Sequence, residues 1–219
     1  MSVRATALLV ILVLGTAAVL WFFHIRRRIV KRMRYIVGAL EAALRPADTE
    51  YTVLGYLVGF KAVYKVRRRG VDRAWILYTI PPYHVLFYLP VIAALREAER
   101  LELTFRLERG VRGEAHIYDP RDRAVRRLVK KDVGDRAARM AQGLVDVGAR
   151  RYEALYTSSD ALEDARRIAQ ELQRLGVDVR RSSVVGTLSA IHVSLVPGAA
   201  RVEEVVRRLV RLAEAIASR

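Results

Sequence analysis

Cysteine is absent from all 219 residues, which removes disulfides, iron–sulfur ligation and thiolate zinc sites from consideration. Asparagine is absent as well, so no N-glycosylation sequon exists. Lysine is scarce beside 34 arginines, and there are only three glutamines and three methionines. Few heat-labile residues beside many ion-pairing ones is a thermophile-like composition, although a GC-rich genome skews usage the same way. No P-loop, GxGxxG, GxSxG elbow or EF-hand occurs, and neither does a repeat of fixed period or a low-complexity tract. The four histidines, His24, His84, His116 and His192, lack an HxH or HExxH partner, so no metal and no cofactor is expected. Nothing in the chain resembles a particular family closely enough to name one.

Charge is missing from residues 5 to 25, ATALLVILVLGTAAVLWFFHI. At about 1.5 Å per residue a helix of that length covers roughly 30 Å, the thickness of a bilayer's hydrocarbon core. A transmembrane anchor over residues 1–25 is expected, with Trp21, Phe22 and Phe23 as its membrane-interface belt. Only Arg4 precedes the run, whereas Arg26, Arg27, Arg28, Lys31, Arg32 and Arg34 follow it. Short basic flanks stay cytoplasmic, so the remainder of the chain is expected in the cytosol at the cell membrane, with those six residues gathering anionic headgroups. A signal peptide cleaved near Gly15-Thr16-Ala17 is the competing reading; the apolar run continues past that site, and the arginines resist export. No GxxxG argues for dimerisation through this helix.

Net charge is +16, but the first 34 residues hold seven basic side chains and no acid, leaving +9 for the rest. A membrane-proximal cluster on a moderately basic body favours anionic surfaces, either headgroups or nucleic acid.

The periodicities predict an α+β fold. Ile29, Val30, Met33, Ile36, Val37, Leu40 and Leu44 recur at helical spacing up to Pro46, giving a basic amphipathic juxtamembrane helix over 26–46. Its stripe either dips into lipid or packs on its own domain or on a second copy. Residues 50–147 read as a β-rich lobe, with a hairpin turning at Arg69-Gly70-Val71-Asp72, a strand at 101–107 and a helix near 135–147. Residues 149–219 follow the order βαββα, the pattern of a ferredoxin-like lobe with helices on one face of an antiparallel sheet. Asp160 and Glu163 suggest a capping box for its first helix, and Glu203–Arg207 and Glu204–Arg208 are spaced for pairing on its last.

Ala74 to Leu95 is a second uncharged stretch, but Pro81, Pro82 and Pro90 argue against a second span. It reads as a buried strand, a Pro-Pro corner and a short helix from Pro90 to Glu99. Tyr83, His84, Phe87 and Tyr88 could form an exposed lip for the bilayer or a protein partner. The functional expectation is a single-pass membrane protein with a cytoplasmic, non-enzymatic binding or assembly (scaffold) domain that self-associates or takes a protein partner. One alternative is a membrane-tethered nucleic-acid binder using the doublets and triplets Arg67–Arg69, Arg126-Arg127, Lys130-Lys131, Arg150-Arg151, Arg180-Arg181 and Arg207-Arg208 with Tyr64 or Tyr152 exposed. The other is an enzyme acting on a lipid or nucleotide, collecting His84, His116 or His192 with acids.

Overall fold

The computed structural model describes residues 3–68, 70–198 and 201–218. Its first element is one unbroken helix, α1 (Val3–Leu44). The division expected near residue 25 therefore falls inside a continuous rod of about 60 Å. Its two halves live in different surroundings. Leu8 to Leu14 are all exposed, whereas Ile25, Ile29, Ile36, Ala39, Leu40, Ala43 and Leu44 are buried in the domain's main core. Of the three fates open to the amphipathic stripe, packing on its own domain is the one observed.

Among the described residues nine strands make a single sheet: β1 (Asp48–Gly55), β2 (Gly59–Arg68), β3 (Val71–Thr79), β4 (Arg100–Leu107), β5 (Glu114–Tyr118), β6 (Ala141–Val147), β7 (Arg150–Tyr156), β8 (Asp178–Val185) and β9 (Ala190–Val196). Their order across the sheet is β1-β2-β3-β4-β9-β8-β5-β7-β6, and every neighbouring pair is antiparallel. Because β4 pairs with β9, and β5 inserts between β7 and β8, the two expected lobes share one sheet.

Three helices cover one face: the second half of α1, α4 (Ser159–Arg174) and α5 (Val202–Ala217). Residues Leu101, Leu103 and Phe105 of β4, with Ile117, Ile191 and Val193, point into this layer and are fully buried. That alternation is the period-2 signature of a strand with one dry face. Across the sheet, α3 (Arg123–Val133) sets Val125, Val129 and Val133 on Tyr118, Met140 and Leu155 as a smaller second core.

Three local expectations need correction. Residues 135–147 hold a 3-10 segment, Gly134–Arg139, and then β6. The helix of this region is α3, capped by the Asp122 carboxylate on the amides of Ala124 and Val125. Gly143, Val145 and Val147 turn inward at strand period and pair with β7, which outweighs helix propensity over so short a run. The cap of α4 is Ser158, two residues before the expected Asp160. On α5 the Glu203–Arg207 pair forms, but Arg208 reaches Glu171 on α4 and ties the two helices together.

α1 is locked to the sheet at two points along its buried half. The Tyr51 hydroxyl donates to Glu41 at 2.6 Å and lies 2.8 Å from the Tyr64 hydroxyl. Arg32 grips Glu99, just ahead of β4, at 2.5 and 3.1 Å, and donates to the Gly198 carbonyl at 2.6 Å. Tyr78 donates to the same Glu99 carboxylate, and burial, then that carboxylate, raises its pKa. Truncating Leu40, fully buried on α1, to alanine is expected to cost about 2–5 kcal/mol. Leu12→Ala, on the exposed half, should leave stability unchanged. Denaturant unfolding of the two variants in one detergent measures the contrast.

Candidate functional site

The aromatic residues of α1, the start of its basic block and the 83–88 lip gather at one end of the domain, where α1 emerges. The β1–β2 turn, Tyr56 to Val58, sits there. Leu57 adopts a left-handed φ of 63° and buries its side chain, which thrusts Tyr56 and Val58 outward. Gly59 follows at φ 148°, where a Cβ would stand 1.9 Å from the Tyr78 carbonyl oxygen. No other residue fits so close an approach. Tyr56 stacks on Phe22 with centroids 6.3 Å apart, and His84 meets the same ring edge-on at 6.1 Å. Trp21 donates its indole N–H to the Tyr83 carbonyl at 2.9 Å.

The lip is thus assembled against α1. Tyr83 and His84 touch Trp21 and Phe22 and are partly buried, while Phe87 and Tyr88 point away and are exposed. A short helix, α2 (Leu89–Leu95), continues the lip and ends earlier than expected, because Arg96 turns left-handed at φ 51°. The sequence reading missed Tyr56, Leu57 and Glu99. Residues 51 to 60, YTVLGYLVGF, carried a signal of their own, since they contain no charge.

The six basic residues behind the apolar run have different fates. Arg26, Arg27, Arg28, Lys31 and Arg34 are exposed, and Arg26 lies over the Tyr56 ring at 5.5 Å. Phe23, Arg26, Arg27, Val30, Lys31 and Arg34 line an open depression of about 560 Å³ on the outer side of α1. Arg32 faces inward to Glu99, and that hydrogen bond raises its pKa further. It is a structural clamp.

Histidines 116 and 192 belong to a buried polar cluster on the opposite sheet face, in one register row, Thr104–His192–Ser183–His116. A guanidinium can only donate, so Arg181, 3.3 Å from His116 Nδ1, fixes the ring as neutral with its proton on Nε2. Nε2 donates to Glu114 at 2.9 Å, and Glu114 also accepts from Arg136 at 2.8 Å. Arg181 further donates to Asp132 at 2.6 Å and to Ser183 at 2.9 Å. His192 rests against the Thr104 hydroxyl at 2.9 Å. Charges alternate along this chain and answer one another, as buried ionic groups require. His84 lies elsewhere, so the three histidines are not collected in one place.

The basic doublets are largely paired. Arg126 meets Glu153 at 3.4 Å, Arg180 meets Asp178 at 2.8 Å, and Arg151 meets Asp146 at 3.1 Å. Arg150 also pairs with Asp178. Lys130 and Lys131 occupy the last turn of α3, where the helix dipole favours them. Tyr64 and Tyr152, needed exposed for base stacking, are buried. The triplet Arg67 to Arg69 lies outside the residues whose side chains are described. Among the described residues no group of three or more His, Cys, Asp or Glu side chains is arranged to hold a metal ion. No protein-family model matches the chain, and no curated protein matches it significantly.

Burial, and after it the positive charge of Arg181, pushes the His192 pKa down to about 3; burial also lowers that of His116. Both rings are neutral in the fold, so protonation favours the unfolded chain. The His192 contribution is complete above the ordinary value of 6.5 and is lost as pH falls from there toward about 3, and that of His116 has the same sign. Glu102, raised by burial, acts in the opposite sense. Comparing His192→Gln with the parent chain isolates the histidine. Between pH 7 and 5 the thermal midpoint should fall more steeply in the parent than in the variant.

Proposed function

We propose that this is a single-pass membrane protein whose α+β domain stands on the cytoplasmic leaflet of the cell membrane as a non-enzymatic binding and assembly module. The observation that carries the proposal is the division of α1. Its first part is long and apolar enough to cross a membrane, with a mean hydropathy of 2.5 over its best window, and only 6% of that window is covered by the rest of the fold. A core helix of a soluble domain buries such a stripe; this one leaves it bare. The change to buried surface comes at Ile25, where the basic block begins.

The block supports the cytoplasmic side through the bias of short basic flanks. With Phe22 at the edge of the hydrocarbon, Arg26 to Arg28 lie about 6–9 Å further along the helix, within the headgroup layer. Lys31 and Arg34 follow at about 14–18 Å, where only the diffuse field of anionic lipid is felt. Arg26, Arg27 and Arg28 are therefore the principal headgroup contacts.

Assembly is supported by the sheet's free edge. β1 is the terminal strand, and its residues from Asp48 to Thr52, the part away from the β1–β2 turn, are exposed. An uncovered strand offers its unpaired backbone groups to a protein partner or a second copy. The polar cluster around His116 supports a structural use of these groups, because its donors and acceptors are engaged with one another.

Protease added to intact cells should leave the domain whole, and protease added to inverted membrane vesicles should digest it. Reversing Arg26, Arg27 and Arg28 to glutamate should weaken retention of the orientation and of anionic lipid. A domain cleaved from outside the cell, or a mature chain that begins after Ala17, overturns the proposal.

A further inference from the structure

We infer that the domain is itself seated in the membrane interface, by an apolar collar of two uncharged segments held around α1 at the level of Trp21 and Phe22. The inference rests on the reading that α1 spans the bilayer, and it concerns what the folded domain adds to that anchor.

The collar has two arcs. One is the β1–β2 turn with the end of β1, presenting Val53, Leu54, Tyr56 and Val58. The other is the segment after the Pro81-Pro82 corner, presenting Val85, Phe87, Tyr88, Val91 and Leu95. Tyr56 is 59% exposed and Phe87 70%, yet neither residues 51–60 nor residues 80–95 contain a formal charge. Exposed aromatic and aliphatic side chains on two separate, uncharged loops mark an interaction surface.

Its occupant follows from position. The Phe22–Tyr56 stack, the Phe22–His84 contact and the Trp21–Tyr83 hydrogen bond fix both arcs to the helix turn where the apolar run ends. A surface continuous with a membrane span at that depth meets the acyl–headgroup boundary. Tyr and Trp partition there in preference to either bulk phase, and Phe buries its ring on the acyl side of that boundary. The charge distribution agrees. Arg26, over Tyr56, and Arg27 and Arg28 begin one turn further from the apolar half, the order in which phosphates follow acyl chains. The left-handed Leu57 serves the same end: burying its own side chain turns Tyr56 and Val58 out toward the lipid.

The absence of native cysteine allows single labels on the full-length chain. An environment-sensitive fluorophore is placed at Phe87→Cys, Tyr56→Cys, Leu12→Cys or Leu188→Cys, and each protein is reconstituted into phosphatidylcholine–phosphatidylglycerol vesicles. A second set of vesicles carries spin-label quenchers at two depths: one near the top of the acyl chain for the labels at 56, 87 and 188, and one near its end for the label at 12, which lies about 15 Å along the helix from Phe22. Leu188 is exposed in the β8–β9 connection, at the end of the strands away from the collar, and reports the aqueous side. All four sites are exposed, and unchanged melting confirms that each variant folds.

Labels at 87 and 56 are expected to lose most of their emission to the shallow quencher, as the label at 12 does to the deep one, while that at 188 is unaffected. Quenching at 12 with labels at 87 and 56 as wet as 188 overturns the collar and leaves the anchor standing. No quenching at 12 overturns the anchor, and the collar with it. Labels at 87 and 56 that are dry but unquenched, and become wet when the protein is diluted in lipid, mean that a second copy covers the surface, and they too overturn the proposal.

Discussion

The packing of the second half of α1 against its own domain is the constraint on which the rest of the structure depends. Ile25, Ile29, Ile36, Leu40 and Leu44 share one core with α5 and the sheet, so the helix is at once a projecting apolar rod and an internal beam. Burying that stripe closes the face of the sheet near β2, and the Arg32–Glu99–Tyr78 cluster fixes how far along the sheet the helix lies. The depth of Phe22 relative to the β1–β2 turn follows from that register.

Much of the fold was legible in residue periodicity. β4 stood out because Leu101, Leu103, Phe105 and Leu107 alternate with polar residues, and α5 because its valines and leucines recur at helical spacing. The βαββα order of the last third is present in the chain. What periodicity could not supply was pairing across long separations. Nothing local indicates that β5 slots between β7 and β8, or that β4 joins β9; those choices are made by the dry faces meeting in three dimensions. The misassigned stretch 135–147 is of the same kind. Its inward residues are few and small, and pairing with β7 decides its conformation.

The candidate site was legible in composition more than in pattern. Absence of charge marked the apolar half of α1 and the segment from Ala74 to Leu95, and the arginine block marked the join. The tendency to treat all six basic residues alike hid Arg32, whose role depends on a glutamate 67 positions later. His116 and His192 lie on the polar face of their strands, but the groups that complete their cluster, Asp132, Arg181 and Arg136, come from α3, β8 and the 3-10 segment in turn, and no spacing rule connects them.

Continuity of α1 has a mechanical consequence. No proline interrupts the backbone between Val3 and Leu44, and the Gly15 and Gly38 positions remain helical. A rod without a hinge transmits rotation. On the proposed reading, a bilayer that thickens or thins changes the tilt of the span, and the whole sheet must swing through the same angle, lifting one arc of aromatic residues as the other sinks. The protein is then built as an inclinometer, its free strand β1 presented to neighbours at an attitude set by the thickness of the lipid.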